Sequence, residues 1–261
     1  MKLNPLPFRE NKPRNTGVTM VMDKGLSLRQ AEDLMDTAGH LIDFLKLGFG
    51  TSVFTRNVKE KVKVYRAAGT KVFVGGTLFE AYAVRGQVDD YLRWIDHLGV
   101  DAAEVSDGSM LMPHNEKCKY ISLLARDRTV LSEVGAKEAD VVYDPTTWVT
   151  EMKAELAAGS SFVIAEARES GTVGIYNKNG KADTGLIDDI KAAIPPEKVI
   201  WEAPLKPQQV WFLKLLGHNV NLGNIAPADI IPLETLRMGL RGDTFFEFLP
   251  GAFNQFKLSP K

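Results

Sequence analysis

Phe162-Val163-Ile164-Ala165-Glu166-Ala167-Arg168-Glu169-Ser170-Gly171 is the stretch on which the fold turns. Its apolar, partly β-branched start reads as a short buried strand, which ends in charge and glycine and gives way to a helical stretch. Side chains alternate along a strand, so Glu166 and Arg168 share a face. The same grammar recurs along the chain. Apolar runs end at Met22-Asp23-Lys24-Gly25, Lys46 to Ser52 (KLGFGTS), Gly75-Gly76-Thr77, Glu104 to Gly108 (EVSDG), Glu133 to Lys137 (EVGAK), Glu202-Ala203-Pro204 and Asn221 to Asn224 (NLGN). Charge at the same end of every strand converges on one mouth if the strands close into a parallel barrel, and that mouth is where barrel enzymes hold their chemistry.

Working outward, strands are expected near 18–22, 42–47, 71–75, 101–105, 129–133, 161–166, 198–202 and 219–222. Helices are expected near 28–38, 57–68, 87–98, 115–126, 146–158, 184–193, 206–216 and 232–240. Strands separated by helical stretches of this length make right-handed βαβ units, and eight of them close a single-domain α/β fold, the (β/α)8 TIM barrel. Ser27 with Gln30 forms a capping-box pattern, and Asp144-Pro145 offers an N-cap followed by proline at the first helical position. Gly39, Gly69, Gly99, Gly159 and Gly217 stand where left-handed caps would end helices. Residues 1–15 carry three prolines and no periodicity and read as an N-terminal arm; 16–245 is the barrel; 246–261 is a C-terminal tail that continues a phenylalanine-rich stretch.

Composition narrows the function classes. The 261 residues are 44% hydrophobic and 25% charged with a formal net charge of -1, which suits one large core and leaves no footprint for a polyanion. Nucleic acid is therefore not an expected partner. Cys118 is the single cysteine, so neither a disulfide framework nor a structural zinc site can be assembled, and a reducing cytoplasm is the expected location. No apolar run approaches the roughly 20 residues of a membrane span, so no membrane association is expected.

The strand ends supply the candidate chemistry. If the shared face is the lumen, Lys46, Glu104, Glu133, Glu166, Arg168 and Glu202 meet at the top of the barrel. Charges of both signs are costly to gather there unless they pair or bind ions, which points to a site for an anion and a hard cation; rim ion bridges are the structural alternative. Gly223-Asn224, expected after the last strand, and Arg241-Gly242, after the last helix, look suited to phosphate, with helix termination as the rival role for the latter pair. Lys24, Lys46 and Lys137 lie at strand ends, where a lysine meets an anion, forms a Schiff base or donates a proton. The four histidines lack ligand spacing, and neither a phosphate-loop, a dinucleotide nor a GxSxG pattern survives inspection.

Taken in order, Asp23-Lys24-Gly25, KLGFGTS, Gly75 to Glu80 (GGTLFE), Glu104 to Ser109 (EVSDGS), Glu133-Val134-Gly135, Glu166 to Gly171 (EARESG), Glu202-Ala203-Pro204 with Gln208-Gln209-Val210, Val220 to Ile225 (VNLGNI) and Leu233 to Phe245 resemble the phosphosulfolactate synthase family. The resemblance runs from about Thr16 to Phe245. It implies a (β/α)8 barrel that adds sulfite to phosphoenolpyruvate with Mg2+ and yields (2R)-3-phosphosulfolactate, as in coenzyme M biosynthesis. Lys137 falls where the family has its proposed general acid, and Lys24 joins it as a catalytic candidate. Glu166, Glu202 and Asp107 are expected to hold the metal; Arg168 and Lys46 the substrate carboxylate or sulfite; Gly223, Asn224, Arg241 and Gly242 the phosphate. A homo-oligomer is expected. Ala136, Phe49 and Ala167 depart from residues that relatives can carry. Two alternatives stay open: a divergent, stress-related barrel acting as a binding or scaffold protein, and an enzyme acting on another phosphorylated enol.

Overall fold

The computed structural model describes residues 3–135 and 144–258. Eight parallel strands alternate with helices in one sheet. In chain order these are β1 (Thr19–Asp23), α1 (Leu28–Ala38), β2 (Phe44–Leu47), α2 (Thr51–Phe54), α3 (Val58–Ala67), β3 (Lys71–Val74), α4 (Gly76–Ala83), α5 (Val88–Leu98), β4 (Ala102–Val105), α6 (His114–Leu124), β5 (Thr129–Val134), α7 (Pro145–Ala158), β6 (Phe162–Ala165), α8 (Thr184–Ala193), β7 (Val199–Glu202), α9 (Lys206–Leu216), β8 (Leu222–Ile225) and α10 (Ile230–Arg237). The hydrogen-bonded order β3-β2-β1-β8-β7-β6-β5-β4 brings the last strand back beside the first. The molecule is a nearly closed (β/α)8 barrel. Its one seam, between β3 and β4, is bridged by side chains: Asp101 Oδ1 accepts from Val72 N at 2.8 Å and Glu104 Oε1 from Gly76 N at 2.7 Å.

The local signals explain most element ends. Ser27 accepts from Gln30 N, and Gln30 reaches back to the Ser27 N–H, closing the capping box; Asp144 caps α7 ahead of Pro145. Gly69, Gly99, Gly159 and Gly217 take positive φ, whereas Gly39 keeps φ -57 because the chain runs on through a 3-10 turn, Gly39–Leu41. Two short helices, α2 and α4, lie where the sequence read as loop. The eighth strand starts later than the expected 219–222: Val220 N turns back to Gly217 O, and the Asn221 carboxamide is spent on Val18 N and on the Asn15 and Glu197 carbonyls.

An apolar plug fills the barrel. Met20, Phe44, Phe73, Leu131, Phe162 and Ile200 are buried there, and Phe44 meets Phe162 and Phe73 edge-on at centroid distances of 5.6 and 6.4 Å. The strand starts are sealed by Arg237, fully buried, which donates to the carbonyls of His218, Val220 and Val18. The N-terminal arm lies over this end through Arg9–Glu234 and Arg14–Asp43, both at 2.9 Å. Among the described residues no helix is long and apolar enough to cross a membrane.

Candidate active site

Period-two alternation stacks a charged layer on the apolar plug. Lys46 follows Phe44 by two residues, Glu104 follows Ala102, Glu133 follows Leu131, Glu166 follows Ile164 and Glu202 follows Ile200. All five are buried. Lys46 Nζ stands 2.9 Å from Glu104 Oε2, 3.3 Å from Glu133 Oε2 and 3.7 Å from Glu202 Oε1. Burial works to lower the Lys46 pKa, yet Glu104, Glu133, Glu202 and Glu166 together hold the ammonium well above the ordinary lysine range.

Four carboxylates thus surround the Lys46 ammonium. Glu202 registers the crowding: burial first, then Glu133 and Glu104, push its carboxyl up to about 8 against the pull of Lys46. Glu202 Oε2 accepts from Ala167 N at 2.9 Å, while Oε1, fully enclosed, has no hydrogen-bond donor among the described residues. Glu133, Glu166 and Glu202 each offer an oxygen within 4.8 Å of the others. Hard, anionic oxygens converging around an orphaned lone pair fit a divalent cation such as Mg2+. The glycines nearby are dictated by close approach: a Cβ on Gly76 would stand 2.5 Å from Glu104 Oε1, and one on Gly223 would stand 2.5 Å from Met20 Cε.

The structure separates the sequence candidates into those it gathers and those it does not. Lys46, Glu166 and Glu202 are brought together. Asp107, past the end of β4, pairs instead with buried Lys117 at 2.8 Å, and burial raises its pKa while Lys117 opposes the rise. Arg168 lies past the end of β6 on an exposed loop, where strand alternation no longer applies. Lys24 is half-exposed and pairs with Glu169 at 2.7 Å. Gly223 and Asn224 lie inside β8 rather than in a loop after it. Asn224 Nδ2 donates one of its two N–H groups to Ala167 O at 3.0 Å. Arg241 and Gly242 follow α10 in the chain; close by, Thr244 Oγ1 donates to Leu236 O, and neighbouring Asp243 pairs at 2.7 Å with Lys206, the first residue of α9. Lys137 lies outside the described residues.

Glu133 stood in the strand-end pattern without a metal role, and its place two residues after Leu131 was the signal that could have given it one. Glu80, which accepts from Ser106 Oγ and from Ser109 N, and Lys117 had no such signal. Both are fixed by contacts distant in sequence.

Fold and site together define a (β/α)8 barrel enzyme with a buried, acid-rich layer at its mouth. The chain belongs to the (2R)-phospho-3-sulfolactate synthase (ComA) family, whose model matches residues 7–243. A phosphosulfolactate synthase of Methanothermobacter thermautotrophicus is 43% identical over 244 residues, covering 91% of this chain and 95% of the relative. The heat-stress-associated protein 32 of Arabidopsis thaliana is 24% identical and covers 88% of each chain. Among solved structures, a 3-hexulose-6-phosphate synthase shares the fold at TM-score 0.53 and 16% identity, covering 85% of this chain and 99% of that one. The protein is an enzyme of the phosphosulfolactate synthase family.

Proposed function

We propose that the protein adds sulfite to phosphoenolpyruvate in a Mg2+-dependent reaction that yields (2R)-3-phosphosulfolactate. The observation that carries the reading is the Glu133–Glu166–Glu202 triad beside Lys46 at the barrel mouth. Sulfite sulfur attacks the methylene carbon, the double-bond electrons move toward the carboxylate to give an aci-carboxylate, and a proton is delivered to the central carbon. Glu133, Glu166 and Glu202 would hold Mg2+, which would supply positive charge against the dianion that develops. Lys46 contributes a second, fixed positive charge in the same water-poor layer. Lys137, by family resemblance, is the proton donor, and Arg168 on the rim meets the carboxylate or sulfite.

The greater identity to a synthase than to the heat-stress protein favours catalysis over a scaffold role. The test mixes purified protein with phosphoenolpyruvate, sulfite and Mg2+ and follows loss of the enol absorbance with product identified by mass. Turnover that stops on chelation is the expected result. No loss of absorbance, with phosphoenolpyruvate binding intact, overturns the reading.

A further inference from the structure

Two loops meet above the pocket through one exposed contact. Lys24, in the turn between β1 and α1, places Nζ 2.7 Å from Glu169 Oε2, in the loop between β6 and α8, with the two side chains 48% and 49% exposed. In the barrel, β1 and β6 are not neighbours; β8 and β7 stand between them. The contact therefore crosses the mouth above the ends of β7 and β8, where Glu202 and Asn224 lie.

Both loops are rooted firmly, so the pair itself is the soft link. Asp23, fully buried, accepts from Gly25 N and Leu26 N at 2.8 and 2.7 Å through one oxygen; through the other it meets Lys61 Nζ at 2.6 Å and the Tyr65 hydroxyl at 2.8 Å. Lys24 thus projects from a fixed turn. On the other side, Ile175 N returns to Glu166 O at 2.9 Å and Gln208 Nε2 holds Gly171 O at 2.8 Å, which leaves Glu169 at the tip of a pinned strap. An exposed ion pair between such roots is worth about 0.2–1 kcal/mol, little enough to exchange. The pocket beneath is rich in acid, so an entering anion needs a cation at the rim.

We propose that Lys24–Glu169 is an exchangeable latch, in which Glu169 holds the ammonium that an incoming phosphorylated small anion takes. Lys24 is then a ligand-binding residue and Glu169 its built-in competitor. The proposal rests on the reading above only in taking the ligand to be a phosphorylated anion.

Calorimetric titration of phosphoenolpyruvate, with inorganic phosphate as a second probe, into the parent, Glu169→Gln, Lys24→Gln and the double variant tests it. The expected pattern is opposite signs: Glu169→Gln tightens binding about two- to fivefold, and Lys24→Gln weakens it about tenfold. In the Lys24→Gln background, Glu169→Gln then has no further effect. A bridge that only orders the loops weakens binding in both single variants, and that outcome overturns the latch. Unchanged affinity in Glu169→Gln does the same, as does tightening that persists without Lys24, since it reports plain charge repulsion. If the parent binds neither probe, latch and reaction fall together; binding without turnover on adding sulfite and Mg2+ removes the reaction and leaves the latch standing.

Discussion

Two buried lysines among carboxylates, Lys46 in the lumen and Lys117 behind β5, show how differently the same ingredients can be used. Lys117 spends its ammonium completely, on Asp107 Oδ1 and Glu155 Oε1 at 2.8 Å and on the Glu133 carbonyl at 2.7 Å. His114 adjoins Glu155 at 3.3 Å, and that hydrogen bond raises the His114 pKa, bringing a second positive charge toward balance. Lys46, by contrast, has Glu104, Glu133, Glu166 and Glu202 around it, and all four raise its pKa. The peripheral cluster joins helix to sheet through a fully engaged ammonium, whereas the lumen layer packs several carboxylates against one described lysine.

The largest expected effect breaks the lumen cluster's function without breaking the fold. Glu202→Gln should lower turnover by about 10²- to 10³-fold, the scale on which removal of one preorganised charge-stabilising group is felt. The melting temperature of the metal-free variant should hold or rise, since the amide replaces a group that burial already disfavours as an anion. Comparable turnover in the variant and parent would place the cation elsewhere.

Lys117→Met should act in the opposite sense. It leaves Asp107 and Glu155 buried without their cation, at a cost of about 3–5 kcal/mol, read by urea unfolding. A loss under about 1 kcal/mol would mean that the peripheral cluster is not the structural one.

A smaller, graded effect sharpens the comparison through pH. The Glu202 carboxyl is raised from 4.5 to about 8, so between those values the folded, metal-free protein keeps a proton that the unfolded chain has released. Its stabilising contribution is therefore complete below the lower value and is lost as pH rises toward the upper one, with a slope of at most about 1.4 kcal/mol per pH unit. Melting temperature against pH in a chelator should fall across this window. Saturating Mg2+, or Glu202→Gln, should flatten that fall. A rise in stability with pH over the same window would reverse the sign and discard the assignment.

The barrel and its charged layer were legible because both follow one period. Strand length, helix length and capping fixed the element order, and alternation after Phe44, Leu131, Ile164 and Ile200 put Lys46, Glu133, Glu166 and Glu202 on the lumen side. Where the pattern stopped, so did legibility. Arg168 lies beyond its strand, so its parity carries no information. Asp107 also lies beyond its strand, and its partner Lys117 sits on a helix that the lumen pattern does not describe. Gly223 hides β8 because glycine is a poor strand former, and only the approach of Met20 and Ile200 shows why it is there. The Lys24–Glu169 contact joins loops far apart in the chain, a relation that follows from strand order alone.

Glu104 serves two masters. One oxygen stitches the barrel at its unladdered junction through the Gly76 amide, while the other touches the Lys46 ammonium. Any ligand that redraws the charge around Lys46 must also tug on that stitch. The Gly76 N–H is in consequence a native resonance probe, able to announce occupancy of the mouth with no label placed in the mouth itself.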